Sequence, residues 1–386
     1  MNKSQKARRR ERRINKRKMK KSRLLQYTNF NETFSYAALL QSSYTCEKGV
    51  KWKRKPQIFS IYRLTETYRL YKALHSRTYK KEPAYHFILH ERGKTRPISG
   101  VSFRDRIVQR ALCENSMIPI LCNGIINDNA ASQKGKGTDY ARSRFVRHLN
   151  NAITKYGPDA YILQYDFKSY FQSVDSRLAC LKILNVYKEY CTTEKDFNDF
   201  KSLFSAILLE ESGIGLGNQT SQVTAIWFPN HIDHFIQEVL HCGLSGRYMD
   251  DGYAFFPNKK LAEKGKQQID KLCKEIGLTL HPRKTKISPV TKEITFLKTC
   301  YKWNSKTGRI NHRLCQSVLT YNRRHVHSVL NKTLSGEIDK DSLVCSIESY
   351  KGVLSRASKK QLKWYNYHIK QPVLLALANL EDKQGD

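Results

Sequence analysis

The 386-residue chain carries 69 Lys+Arg against 34 Asp+Glu, a formal charge of +35, and such a field concentrates polyanions, with nucleic acid the natural partner. An acidic membrane surface is the competing reading. However, no run of about 18 apolar residues occurs and no signal-peptide hydrophobic region follows the basic start, so a soluble, cytoplasmic protein with no membrane partner is expected. Ten cysteines show no Cys-x-x-Cys pair and no clustered Cys/His spacing, which reads as ordinary reduced thiols rather than a zinc site or disulfide framework.

Residues 1–23 hold thirteen Lys/Arg, including Arg8, Arg9, Arg10, Arg12 and Arg13, against one acid, Glu11. Beyond Met1 only Ala7, Ile14 and Met19 are apolar, so this segment cannot build a core alone. It is a solvated tail, or an arginine-rich arm that orders as a helix on RNA. Residues 24–90 interleave Tyr, Arg and Leu. Within them Ile61, Leu64, Tyr68 and Tyr71 recur at helical spacing, which suits a core face or, alternatively, a base-stacking surface.

Three polar, basic segments follow: Lys94-Thr95-Arg96-Pro97-Ile98-Ser99, Phe103 to Ala111, and Lys134-Gly135-Lys136-Gly137-Thr138. Asp159 to Asp166 is rich in aromatic and branched residues and is predicted as a strand that delivers Asp166 at its C-terminal end. After Gly217-Asn218-Gln219-Thr220-Ser221-Gln222, two short runs ending at Arg247 and starting at Gly252 predict a hairpin. A turn-forming Asp-Gly step is expected to separate the runs, with Tyr248-Met249-Asp250-Asp251 at the tip. Leu261, Ile269, Leu272 and Ile276 lie near one face of a predicted helix that Gly277 is placed to stop. Beyond residue 301 the pattern becomes largely helical and basic, with Arg313, Arg323 and Arg324 among its cations.

An adjacent carboxylate pair is repulsive unless cations or hydrogen bonds neutralise it. Asp250-Asp251 alone would be most simply a solvated turn. Asp166 changes that reading, because one Asp at a strand end and two on a hairpin can bind two metals about 4 Å apart, which activate an attacking hydroxyl and stabilise leaving pyrophosphate. Strand, helix, hairpin, helix and strand around these acids suit a ferredoxin-like palm of α+β type.

Taken in order, these segments resemble a bacterial reverse transcriptase of the group II intron-like and diversity-generating-retroelement type. The segments around Arg96, Phe103–Ala111 and Lys136 look like fingers motifs, and Gly217–Gln222 is similar to motif B. Leu278 to Lys286 resembles the motif after the palm helix. The resemblance spans roughly residues 91–300. It implies an α+β right-hand polymerase with fingers, ferredoxin-like palm and helical thumb. The implied division is a basic arm (1–23), an N-terminal extension (24–90), a fingers and palm core (91–300) and a thumb (301–386). Two positions depart from relatives: Lys298 stands where they usually carry Gly, and Pro229 interrupts the helix expected after motif B.

The resemblance also assigns roles. Asp166, Asp250 and Asp251 match the catalytic, metal-binding carboxylates, with the Phe167 carbonyl as an added ligand, for two Mg²⁺ ions or Mn²⁺ as a substitute. Phe171 matches the ring beneath the incoming sugar, where it collides with a 2′-hydroxyl and favours dNTPs, though plain core packing is the alternative. Arg96 and Lys94 match triphosphate contacts, and Gly217, Asn218 and Gln222 would line the nascent base pair. Lys284 is the candidate general acid for pyrophosphate. Arm arginines 8, 9, 10, 12 and 13, with Lys136, Arg313, Arg323 and Arg324, would hold nucleic acid. Implied partners are an RNA template, a structured noncoding RNA, the DNA product and dNTPs, with an accessory protein or a second copy in addition. The setting is bacterial or phage-encoded, in antiphage defence or a diversity-generating retroelement. A noncatalytic RNA-binding scaffold that kept the polymerase fold is the alternative function.

Overall fold

A computed structural model describes residues 11, 12, 15, 18–91, 94–209 and 213–382. Arg8, Arg9, Arg10 and Arg13 of the arm lie outside the described residues, as does the side chain of Lys94. Arg12 is helical and exposed.

After shorter helical segments up to Thr33 come α1 Tyr36–Glu47, α2 Arg54–Ile61 and α3 Arg63–His75, followed by the hairpin β1 Tyr85–Glu91 and β2 Lys94–Gly100. Then come α4 Phe103–Leu112, α5 Thr138–Tyr156, β3 Tyr161–Asp166, α6 Ser176–Tyr190, α7 Glu194–Leu208, α8 Gln219–Trp227 and α9 Asn230–His234. The second hairpin is β4 Ser245–Tyr248 and β5 Asp251–Phe256, leading into α10 Lys259–Glu275. The chain closes with strands β6 Lys286–Pro289, β7 Ile294–Phe296, β8 Thr299–Asn304 and β9 Arg309–Leu314, then helices α11 Gln316–Leu334, α12 Lys340–Leu354, α13 Lys359–Tyr365 and α14 Gln371–Asp382. Side-chain caps set several helix starts: Ser102 accepts from the Asp105 amide, Asp175 from Arg177 and Leu178, and Asp339 from Ser342. Gly277, with φ +75°, ends α10 in the left-handed conformation that glycine adopts without cost.

The sheet order β4-β5-β3-β6 is that of a split β-α-β-β-α-β unit, the palm arrangement expected from the sequence. Pro229 does break the helix after Gly217–Gln222: α8 ends at Trp227 and a new helix begins at Asn230.

The chain divides into two compact units. One gathers residues up to Gly137 with Gln164–Gly252 and Gly265–Thr285. Its core is built from α1, α3, α4, α6 and α7, where Phe34, Leu70, Ile107, Tyr187, Phe200 and Phe204 are fully enclosed. Each such side chain contributes about 1.5–3 kcal/mol relative to exposure. The second unit gathers Thr138–Leu163, Tyr253–Lys264 and the chain from Lys286 onward. There Phe145 packs among Tyr253, Phe296 and Tyr301 with ring centroids 4.9–5.0 Å away. A separate helical core centres on Leu343, Tyr350, Tyr365 and Ile369.

Four sequence expectations need correction. The stripe is neither on one helix nor core: Ile61 ends α2 while Leu64, Tyr68 and Tyr71 lie on α3, and Ile61, Leu64 and Tyr68 are 74%, 61% and 56% exposed, with only Tyr71 half-buried. The inward face is instead Arg63, Thr67, Leu70 and Leu74, with Arg63 neutralised by Glu47 at 2.7 Å. On α10, Leu261 points outward, while Ala262, Ile269, Cys273 and Ile276 are buried. The hairpin turn is Met249-Asp250 rather than an Asp-Gly step, and Gly252 lies inside β5. Residues 301–314 form a hairpin of β8, a turn at 305–308 and β9, and the helical region starts at Gln316.

Candidate active site

Three backbone contacts assemble the centre. Asp166 closes β3, and the next residue, Phe167, donates its amide to the Asp250 carbonyl at 3.2 Å, which ties the strand end to the hairpin turn. On the other side the His281 amide donates to the Asp166 carbonyl at 2.7 Å, and Lys168 donates to Thr279 at 2.8 Å. Asp166 therefore sits between the Asp250 turn and the segment that carries Lys284. The Lys284 ammonium lies 2.7 Å from Asp166 Oδ2. Asp250 and Asp251 are half-buried, and Asp166 is 8% exposed.

The turn holding Asp250 is fixed from inside by a residue to which the sequence reading gave no role. Arg247 is fully buried and makes a two-pronged ion pair with Asp233 of α9, at 2.7–3.0 Å. Its remaining donors reach the Met249 carbonyl at 2.8 Å and the Ile226 carbonyl at 2.7 Å. Burial opposes the charge on Arg247, but Asp233 more than offsets this and holds the guanidinium's pKa above its ordinary value. A signal for this was present: Ser245 and Arg247 share the inward face of a short strand, where an arginine must find partners for every donor. Gly252 has a packing reason as well. The Tyr165 ring lies so close that a Cβ there would come within 2.2 Å of it.

The other predicted residues fall along one path in the same unit. The Phe171 carbonyl accepts from the Ile214 amide at 2.8 Å, and its ring is half-buried rather than sealed in the core. Leu216 accepts from the Ser99 amide of β2 at 3.3 Å, and Gly217, with φ +115°, packs against Ile98. The segment Gly213–Gly217 thus runs from Phe171 to the strand that carries Arg96, whose side chain is exposed. Asn218 is buried with its Oδ1 unpaired, and Gln222 is exposed one turn further along. Lys136 donates to the carbonyls of Asn127 and Asn129 at 2.8 and 3.2 Å, so its ammonium braces a loop. In the second unit, Arg313 pairs with Glu293 at 2.8 Å, and Arg323 and Arg324 are exposed on α11.

The donor set suits a hard divalent cation: three carboxylates on adjoining segments, and a buried Asp166 Oδ1 with no hydrogen-bond partner that an ion would satisfy. Among the described residues no three His, Cys, Asp or Glu side chains converge closely enough to chelate an ion as they stand. Like charges repel, and in this arrangement it is Lys284 that neutralises Asp166. No helix of the described residues is long and apolar enough to cross a membrane.

The family profile described as reverse transcriptase (RNA-dependent DNA polymerase) matches residues 79–299, more than half of the chain. The chain belongs to that family, whose domain type generally uses divalent metals. No curated protein matches the chain significantly. Among solved structures, apo telomerase from Candida tropicalis is similar at 14% identity and TM-score 0.44, over 60% of this chain and 48% of that one. Telomerase from Candida albicans, in complex with a TWJ fragment of telomeric RNA, is similar at 11% identity and TM-score 0.44, over 77% and 59%. The chain thus spans about half to three-fifths of those structures' length.

Proposed function

We propose that Asp166, Asp250 and Asp251 are the catalytic carboxylates and hold two Mg²⁺, with the Phe167 carbonyl as a further ligand. The observation that carries this reading is the bond from the Phe167 amide to the Asp250 carbonyl beside an unpaired, buried Asp166 oxygen. When bound, such ions lower the pKa of the attacking 3′-hydroxyl and stabilise charge on the leaving pyrophosphate. The chain's own residues do the rest. Arg247 and Asp233 hold the turn in place, and Lys284, already on Asp166, is positioned to give a proton to departing pyrophosphate. Arg96 and Lys94 bind the triphosphate, Phe171 excludes a 2′-hydroxyl, and Gly217, Asn218 and Gln222 line the nascent pair. Residues 24–90 extend a fingers and palm core (91–300), and residues 301–386 act as the thumb.

The working partner in this reading is a dedicated noncoding or template RNA, in antiphage defence or a diversity-generating retroelement. The +35 charge supports it, and the first 23 residues supply 12 of that excess (13 − 1). The arm arginines, Lys136, Arg313, Arg323 and Arg324 would follow the phosphates.

The decisive experiment is primer extension on an RNA template with Mg²⁺ and dNTPs. Asp166→Asn and Asp250→Asn are expected to abolish synthesis while RNA binding stays nearly unchanged. Synthesis by the double variant would sink the assignment, and a wild-type chain that binds RNA but never extends a primer would leave the scaffold function. Phe171→Ala is expected to raise ribonucleotide over deoxynucleotide incorporation, and an unchanged ratio would mean that the ring only packs. Deleting residues 1–23 is expected to flatten the salt dependence of RNA affinity by several units, at roughly 0.7–0.9 per phosphate contact. Sequencing of copurifying nucleic acid tests whether one discrete RNA accompanies the chain.

A further inference from the structure

We infer that a cationic cleft beside the β1–β2 hairpin takes an unpaired nucleotide of bound RNA, an inference that rests on the RNA-templated function proposed above. The cleft encloses about 340 Å³, at the small end of the roughly 300–1,000 Å³ typical of ligand sites. Lys53, Arg54, Lys55 and Arg106 line it, together with the rings of Tyr85 and Phe103, and no carboxylate does.

The charge in the cleft is not neutralised from within. On α4 the neighbouring arginines have acidic partners: Arg104 lies 3.7 Å from Glu82, and Arg110 lies 2.6 Å from Glu114. Arg106, between them, forms no ion pair among the described residues, and neither do Arg54 and Lys55. Asp105, the nearest acid in sequence, accepts from the Tyr79 hydroxyl on one carboxylate oxygen and from the Glu82 amide on the other. Four cations without a counter-charge are costly to gather unless an external anion joins them.

The apolar part selects the kind of anion. Phe103 forms a nearly closed floor, anchored edge-on to Phe59 at 5.3 Å. Tyr85, 49% exposed, lies flat on Gly100, where a Cβ would meet its ring at 2.3 Å. Next in sequence to the lining Lys53, Trp52 is 74% exposed beneath the Lys53 ammonium at 5.1 Å. Rings beside unpaired cations suit a base with flanking phosphates, because every base offers a π face and each phosphate a charge. A duplex hides its base faces, so the occupant is unpaired. The cleft also begins two residues beyond Ser99, whose amide is bonded to Leu216 next to Gly217. In RNA-templated synthesis the unpaired strand near the nascent pair is RNA.

The test uses the full-length chain and a single-stranded RNA oligonucleotide carrying 4-thiouridine. Irradiation followed by mass spectrometry is expected to place an adduct on the peptide containing Tyr85 or that containing Phe103. R54E/K55E, at two exposed positions, should reduce that adduct at least tenfold, and the salt slope of binding should flatten by about 1.4, two contacts at roughly 0.7 each for single strands. Tyr85→Ala should cut the adduct while leaving the slope in place, since it removes stacking and no charge. Adducts confined to other peptides, or an unchanged slope in R54E/K55E, would overturn the inference. So would a change in sedimentation of R54E/K55E with RNA binding intact, which would mean that a protein covers the cleft. Asp250→Asn is expected to keep the adduct while losing synthesis. An adduct without wild-type synthesis would therefore indict the polymerase site, and synthesis without an adduct would indict the cleft.

Discussion

Two hairpin turns in this molecule solve one backbone problem at different depths. In the Met249-Asp250 turn, Met249 adopts φ +55°, and in the Leu297-Lys298 turn both residues are left-handed, at +46° and +63°. Side chains other than glycine reach that region at a cost of about 1–2 kcal/mol each. In both turns an arginine donates to the carbonyl of the first turn residue: Arg247 to Met249 at 2.8 Å and Arg142 to Leu297 at 2.9 Å. Arg247 is sealed, and its counter-ion Asp233 is 1% exposed, whereas the partner of Arg142, Asp139, is 82% exposed. The pKa shifts follow. Asp233 keeps Arg247 above its ordinary value, while burial and then the nearby Arg356 bring Arg142 below it. The strained turn that carries a proposed metal ligand is locked by a dry ion pair, and the other by a wet one.

The largest effect expected from this contrast is at Arg247. Arg247→Met leaves Asp233 buried without its partner and frees the Met249 carbonyl, so a loss of about 3–5 kcal/mol is expected in urea unfolding. Arg247→Lys keeps the charge but not the two-pronged geometry, and should recover only part of that loss. A loss below 1 kcal/mol for the methionine variant would show that the ion pair does not lock the turn.

Gly252→Ala comes next. The added methyl meets the Tyr165 ring at 2.2 Å, and that ring is fully buried, so about 1–3 kcal/mol of overpacking is expected, read as a lower urea midpoint at constant m-value. If the midpoint does not move, the close approach of Tyr165 is not what requires glycine.

These two residues also show where sequence reading succeeds and where it stops. The strand delivering Asp166 was legible because aromatic and branched residues lead up to an acid at its end, and the palm order followed from the succession of elements. Gly252 was read as turn chemistry because a glycine after Asp usually marks a turn. Its true cause is a ring arriving from β3, a contact between residues far apart in sequence that no local pattern encodes. Arg247 reads as a surface charge unless the Asp233 partner is known. The stripe from Ile61 to Tyr71 failed for the opposite reason: α3 can turn Arg63 and Thr67 inward when Glu47 and Ser43 satisfy the arginine, which leaves Leu64 and Tyr68 outside, as Ile61 is at the end of α2.

On the wet side of the comparison, Arg142→Ala removes two donors from the Leu297 carbonyl but leaves Asp139 in water with Arg356 still 3.1 Å away. Water can replace part of what is lost, and an exposed pair contributes little, so about 1 kcal/mol is expected. A cost matching that of Arg247→Met would erase the distinction between the two turns.

The smallest effect is at Lys298, where φ is +63°. Lys298→Gly relieves roughly 1 kcal/mol of left-handed strain. It also loosens the unfolded chain, which returns about 0.4–1 kcal/mol of that gain. The backbone bond from the Cys315 amide to the Lys298 carbonyl needs no side chain and survives the change. The expected net result is a gain of at most about 0.5 kcal/mol, measurable as a small rise in the unfolding midpoint. A loss greater than 1 kcal/mol would mean that the lysine side chain anchors this turn, and that the second turn too is locked by more than the hydrogen bonds from Arg142.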